Sequence, residues 1–202
     1  MVKKEHLAAK IFRNLTWHFP GRANEIFLTF DDGPTPEITP WVLSILKEYN
    51  AKATFFCLGS KVEKYPQLYN QILTDGHLTG NHSYSHFNGW NTNNYKYYND
   101  IKKASAFIDS KLFRPPYGKI SLRQINHLKY HYQIIMWDVL SYDFYSNINP
   151  QKCLRNVIKG AQHGSIIVFH DNEKSKSNLK YVLPRVLLHF ANLGFSFNPI
   201  VL

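Results

Sequence analysis

Short apolar runs rich in β-branched and aromatic residues punctuate the chain: EIFLTF (25–30), KATFFCLG (52–59), HLTGNH (77–82), KLFRPPYG (111–118), YQIIMWDV (132–139), SIIVFHD (165–171) and FSFNPIVL (195–202). Each reads as a strand. Between them, apolar positions recur at helical spacing. Thr39 reads as an N-cap with Pro40 at the first helical position, and Val42, Ile45, Leu46 and Tyr49 then share one face. Near the end, Leu183, Val186, Leu187 and Phe190 repeat that spacing and Gly194 supplies the stop. KYYNDIKK (96–103) reads as the solvated face of a helix. Seven strands alternating with helices predict a parallel α/β architecture, a distorted and incomplete (β/α) barrel of about seven strands. In such barrels the chemistry collects where strands end, on the carboxyl face. The unusual polar residues fall there. Asp31 and Asp32 end the first strand, His82 the third, and Arg114 to Tyr117 the fourth; Asp138 to Asp143 follow the fifth, and His170 and Asp171 end the sixth.

Composition narrows the class. The 202 residues are 44% hydrophobic and 15% aromatic, enough for one well-filled core, with no internal repeat and no Pro-, Gly- or Ser-rich linker. Residues 1–24 read as an N-terminal extension packing on a single domain of residues 25–202. Twenty-four basic against 14 acidic residues give a net charge of +10, which favours anionic partners, but the charges are scattered and form no dense block. Nucleic-acid binding is not expected. Cys57 and Cys153 belong to no CxxC pair and read as buried free thiols. No stretch is long enough to span a membrane, and the N-terminus lacks an apolar run of signal-peptide length, so the cytoplasm is the default compartment, with action outside it left open. Ile11, Leu15, Trp17 and Phe19, beside basic residues, suit either a weak peripheral membrane contact or packing across the bottom of the domain. A monomer is expected.

Two adjacent carboxylates repel each other, so Asp31 and Asp32 call for a cation. His82 and His86 stand four apart, which brings both imidazoles to one side of a helical turn. With one carboxylate they make a His, His, Asp set. Three protein ligands and an open position describe catalytic zinc rather than structural zinc. If Asp32 binds the ion, Asp31 is free to take a proton from a water that the ion acidifies. Pro115 and Pro116 fix two φ angles and offer no donors, so the Tyr117 N–H can be held toward an oxyanion. Arg114 suits a paired hydrogen bond that orients Asp31 and keeps it ionised. His170, behind four apolar strand residues, suits an acid for a leaving amine if Asp143 raises its pKa.

With these residues in view the chain resembles the NodB-like polysaccharide deacetylases, carbohydrate esterase family four, from about Glu25 onward. TFDDGP is similar to the family's first motif, which implies Asp31 as general base and Asp32 as metal ligand. HSYSH resembles the second and implies His82 and His86 as the other ligands. RPPY resembles the third, implying Arg114 as partner of the base and the Tyr117 N–H as oxyanion donor. SYDFY and VFH correspond to the fourth and fifth, implying Asp143 as partner of His170, the general acid. Two departures, Phe144 where tryptophan is common and Val168 where leucine is common, fall at positions expected to line the acetyl methyl's pocket. Pro116 and Tyr142 join them as expected substrate contacts, and Trp90, Tyr142 and Tyr145 as candidate platforms for sugar rings. The resemblance implies one divalent ion, Zn2+ first with Co2+ or Ni2+ as alternatives, and removal of N-acetyl groups from peptidoglycan or chitin-like glycans. An O-acetyl xylan esterase with the same machinery and a non-catalytic glycan- or polyanion-binding module are the alternatives.

Overall fold

The computed structural model describes residue 12 and residues 14–145 and 147–201. In chain order the elements are β1 (Glu25–Asp31), α1 (Ile38–Glu48), β2 (Thr54–Cys57), α2 (Gly59–Lys64), α3 (Pro66–Thr74), β3 (Leu78–Asn81), α4 (Asn94–Ala104) and β4 (Leu112–Phe113). A 3-10 turn (Pro116–Gly118) follows, then α5 (Leu122–Leu128), β5 (Gln133–Ile134), β6 (Val139–Leu140), α6 (Pro150–Gly160), β7 (Ile166–His170), α7 (Lys176–Asn192) and β8 (Ser196–Phe197). The sheet order is β5-β4-β3-β2-β1-β7-β6, with β8 pairing the start of β1. Every ladder between these strands is parallel. The architecture is the incomplete (β/α) barrel that the strand rhythm predicts.

One predicted strand is two. YQIIMWDV splits into β5 and the start of β6, which lie at opposite edges of the sheet. Residues 135–138 cross the gap. Ile135 N–H donates to Phe113 O at 2.8 Å and Met136 N–H to Thr16 O at 2.7 Å, while Asp138 accepts from Ile166 N–H and Ser165 Oγ, both at 2.8 Å. Asp138 thus sits at the amino end of β7, opposite the pole where its strand-end position predicts it. The stretch before β1 closes the same gap, through a parallel bridge of Thr16 with Ile135 and an antiparallel one of His18 with Ser165. Leu15 is buried and Trp17 and Phe19 pack on the core beside it, so these side chains face the domain rather than a membrane; Ile11 lies outside the described residues. Among the described residues no helix is long and apolar enough to cross a membrane.

The strands are buried on both faces, which is why they read as unbroken apolar runs. In β1, Ile26, Leu28 and Phe30 join the core beneath the helices, together with Phe55 of β2 and Ile167 and Phe169 of β7. Phe30 stacks at 5.0 Å on Phe55 and at 5.8 Å on Phe169. Full burial of one such side chain stabilises by about 1.5–3 kcal/mol. The alternate residues face the barrel interior. Their register pairs climb from Phe27 with Ile166, through Thr29 with Val168, to Asp31 with His170. The interior therefore turns from apolar at the bottom to ionisable at the carboxyl rim.

Two local expectations change. Helix α1 begins at Ile38, and the buried Thr39 does not cap it. Its hydroxyl accepts from Thr35 N–H and donates to Asp171 Oδ2 at 2.5 Å. In α4, Asp100 is not on a solvated face. It is buried, and its Oδ2 accepts the N–H groups of Tyr84 and Ser85, both at 2.9 Å. Helix α7 buries Leu183, Val186, Leu187 and Phe190 and stops before Gly194 at φ 78°. Cys57 and Cys153 are buried free thiols.

Candidate active site

Asp32, His82 and His86 converge. Their ligand atoms lie within 4.8 Å of one another, with His82 Nε2 3.6 Å and His86 Nε2 3.1 Å from Asp32 Oδ1. The histidines come from a loop after β3, not from a helical turn. Left-handed backbone at Ser83 (φ 66°) and His86 (φ 60°) folds that loop back on itself. Asn81 Oδ1 takes Ser83 N–H, Ser83 Oγ takes His86 N–H, and Asp100 holds the two residues between.

The donor set fits one divalent ion. His82 Nδ1 lies 2.8 Å from Arg114 O, a carbonyl that can only accept, so Nδ1 carries the proton and the Nε2 lone pair faces Asp32. Burial pulls the His82 pKa down to about 4 against the charges of Asp31 and Asp32, which keeps the ring neutral, as a ligand must be. For Asp32, burial pushes the carboxyl upward, but the close approach of His86 and the charge of His170 outweigh it and hold it well below the ordinary range. Asp32 Oδ1 is buried and takes no hydrogen bond; His86 approaches it without the alignment of one. An oxygen left so, between two imidazole nitrogens, is what a cation would fill.

Asp31, inward-facing and 4% exposed, stands beside this set with Oδ2 4.0 Å from His82 Nε2. Arg114, fully buried, donates from Nη1 to Asp31 Oδ1 at 2.7 Å. The contact is a single bond rather than the expected pair, because the same Nη1 serves Thr29 Oγ1 at 2.7 Å while Nη2 and Nε serve the carbonyls of Met136 and Ile135. Opposite Asp31 in register, His170 Nδ1 lies 2.8 Å from Asp143 Oδ1, and Asp143 Oδ2 takes His170 N–H at 2.8 Å. Burial lowers the His170 pKa, but the Asp143 charge and hydrogen bond, then Asp32 and Asp31, raise it to about 9.

The remaining expected residues surround these groups. After the double proline, Gly118 and Lys119 N–H turn back to the carbonyls of Pro115 and Pro116. Tyr117 sits at φ 59° between, with its exposed ring 4.5 Å from His86. Phe144 meets His170 edge-on at 4.8 Å and Tyr145 at 4.5 Å, and Tyr142 lies parallel to Tyr145 at 6.0 Å. Val168 is buried in β7, on the face that carries His170. Pro116 is buried, and Trp90 is exposed with its indole N–H on Ile120 O. Of the eight non-glycine residues with positive φ among the described residues, five are Asp32, Ser83, His86, Tyr117 and Tyr142. Strain of about 1–3 kcal/mol apiece gathers where side chains must be aimed.

Sequence reasoning missed several supports. Asn172 Nδ2 donates to Asp32 Oδ2, and Asn178 Nδ2 donates to Asp143 O, both at 2.8 Å. Asp171, fully buried, ties β7 to the Asp31–Thr35 turn through Thr39. Burial raises its pKa to about 7, and a side chain on Gly33 would collide with its carboxyl. Their signal was no more than adjacency to His170 and the start of a helix.

An incompletely closed parallel barrel carrying an Asp/His/His set, an Arg-held carboxylate and an Asp-held imidazole defines the class, that of hydrolases built around one divalent ion. The particular family follows from comparison: a polysaccharide deacetylase model matches residues 20–132, and the chain belongs to that family. A peptidoglycan-N-acetylglucosamine deacetylase of Bacillus cereus is 35% identical over 191 residues, covering 91% of this chain and 89% of the relative. A chitooligosaccharide deacetylase of Azorhizobium caulinodans is 33% identical, covering 73% of this chain and 74% of the relative. The crystal structure of the Bc1960 peptidoglycan N-acetylglucosamine deacetylase superposes with a TM-score of 0.88 at 31% identity, covering 96% of this chain and 94% of that one.

Proposed function

We propose that this chain is a metal-dependent deacetylase that hydrolyses N-acetyl groups on N-acetylhexosamine units of peptidoglycan or a chitin-like glycan, releasing acetate. The observation that carries the reading is the convergence of three ligand side chains with a base held by Arg114 and an acid held by Asp143, all at one strand-end pole. A binding module has no use for both proton-transfer groups. A divalent ion in the Asp32, His82, His86 set, zinc by the chemistry of its nitrogen and carboxylate donors, supplies Lewis acidity toward the acetyl carbonyl and lowers the pKa of water toward neutrality.

The chain's own groups do the rest. Asp31, kept from rotating by Arg114, takes the proton of the attacking water. The Tyr117 N–H, fixed after two prolines, donates to the developing oxyanion. His170, charged at neutral pH because of Asp143, hands its proton to the amine as the C–N bond breaks. Phe144 and Val168 bound the site of the acetyl methyl, while Pro116, Tyr142, Tyr145 and Trp90 offer surface to the sugar. The test is acetate release from N-acetylglucosamine oligomers and from purified peptidoglycan, before and after a chelator and on restoring Zn2+, Co2+ or Ni2+. Release that a chelator abolishes and an added ion restores supports the reading. Release from acetyl-xylan alone would move the substrate to O-acetyl esters, and none from any of them would remove the enzymatic reading.

A further inference from the structure

A carboxylate has two oxygens, and a metal ligand must present the right one. Asp32 Oδ1 faces both imidazoles, while Oδ2 accepts Asn172 Nδ2 at 2.8 Å. The direction of that amide is not free. Asn172 Oδ1 already accepts Ser175 N–H at 3.0 Å and Ser175 Oγ at 3.1 Å, so the oxygen belongs on the Ser175 side and the NH2 on the Asp32 side. Ser175 is fully buried and stands at the N-cap position of α7, whose Leu179, Val182 and Leu183 are buried in the main core. A chain of contacts thus runs from the core through Ser175 and Asn172 to one oxygen of Asp32.

We infer that Asn172 is a positioning residue for the metal centre: by holding Asp32 Oδ2 it fixes the carboxylate plane and keeps Oδ1 uncommitted for the ion. The inference rests on the deacetylase reading of the site, since it concerns that site's ligand. Asp32 needs the help because its backbone stands at φ 75° in a turn whose neighbours Asp31 and Gly33 give it no hydrogen-bonded side chain. Without Asn172 the carboxylate could rotate about χ2 and swing Oδ1 away from His82 and His86. Partners of this kind commonly change metal affinity by about 10- to 100-fold.

The test uses the full chain, stripped of metal, with Zn2+ affinity read by competition against a chromophoric chelator. Asn172→Ala removes all three of its side-chain hydrogen bonds, one to Asp32 and two from Ser175. Asn172→Ser keeps a short oxygen for Ser175 N–H but cannot reach Asp32. Both variants should bind Zn2+ about 10- to 100-fold more weakly, ion-free Asn172→Ser should melt with the wild type, and excess Zn2+ should restore its turnover. Wild-type affinity in both variants would overturn the inference and leave the deacetylase reading standing. So would a loss in Asn172→Ser that tracks a lowered melting temperature and that excess Zn2+ cannot rescue, because the residue would then serve the fold alone. A wild-type chain that takes up no divalent ion would remove the metal centre, and this inference with it.

Discussion

Replacing Asp143 by asparagine would keep the volume beside His170 and remove the charge. The carboxylate accepts on both oxygens, from His170 Nδ1–H and from His170 N–H, whereas an amide has one acceptor oxygen. If that oxygen keeps the backbone N–H, the NH2 points at Nδ1 and favours the uncharged ring. If it keeps the ring, the backbone donor loses its partner. Against burial, Asp143 leads the carboxylates that lift the His170 pKa from an ordinary 6.5 to about 9, ahead of Asp32 and Asp31, so without it the pKa falls back toward 6.5. The sign follows. An acid must be protonated to act, so wild-type activity should persist up to about pH 9 before declining, and the variant should decline from nearer pH 6.5. At pH 8 the protonated fraction is then about 0.9 against roughly 0.03, a loss of about 30-fold that shrinks to less than about twofold at pH 6. The assay is the pH profile of kcat/KM for acetate release from a soluble N-acetylglucosamine oligomer at saturating Zn2+. A variant with an unmoved alkaline limb, or one slowed equally at every pH, would refute the assignment of His170 as an acid tuned by Asp143.

Asp31→Asn should retain the ion, since the proposed ligand set does not include Asp31, and lose about 10²- to 10⁴-fold in turnover; near wild-type deacetylation would take Asp31 out of the mechanism. His82→Ala should lose the ion, and elemental analysis showing unchanged zinc would defeat the ligand set. Arg114→Met leaves Asp31 buried without its charge partner, which costs about 3–5 kcal/mol and should lower the thermal midpoint by roughly 10 °C. An undiminished midpoint would mean that water or another donor already satisfies Asp31.

The legible parts of this chain are those whose signal is local. Runs such as IIVF and EIFLTF announce strands because both of their faces are covered, and Asp31, His82, Arg114 and His170 stand out because each follows such a run directly. The illegible parts depend on partners distant in sequence. YQIIMWDV reads as one strand, yet its two ends pair at opposite edges because Thr16 and Ser165 capture the residues between them. Asp100 looks solvated within a lysine-rich helix, and its partners Tyr84 and Ser85 cannot be read from its neighbours. Spacing pairs His82 with His86, and the fold does bring both beside Asp32, but through two left-handed residues rather than a helical turn. The number of bonds between Arg114 and Asp31 was set by competing acceptors, Thr29 on the same strand and the carbonyls of the 135–136 crossing.

That competition explains how Asp31, the proposed base, is placed. Arg114 lies 4.1 Å over the Phe56 ring, and its bonds reach Asp31 and Thr29 of β1 and the carbonyls of Ile135 and Met136, the residues that cross between the two edges of the sheet. Only Asp31 offers it a charge; the other acceptors are neutral oxygens. The guanidinium therefore ties β1 to the crossing segment and aims the carboxylate with one planar set of donors. A lysine, presenting a single point of charge, could serve Asp31 or the crossing segment but not both. Loosening the crossing at residues 135–136 would free Arg114 before it touched any ligand of the ion, and Asp31 would lose its aim while Asp32, His82 and His86 kept theirs. On the proposed reading, ion binding and proton abstraction are thus anchored separately in this fold, the first through α7 and the loop after β3, the second through the closure of the sheet.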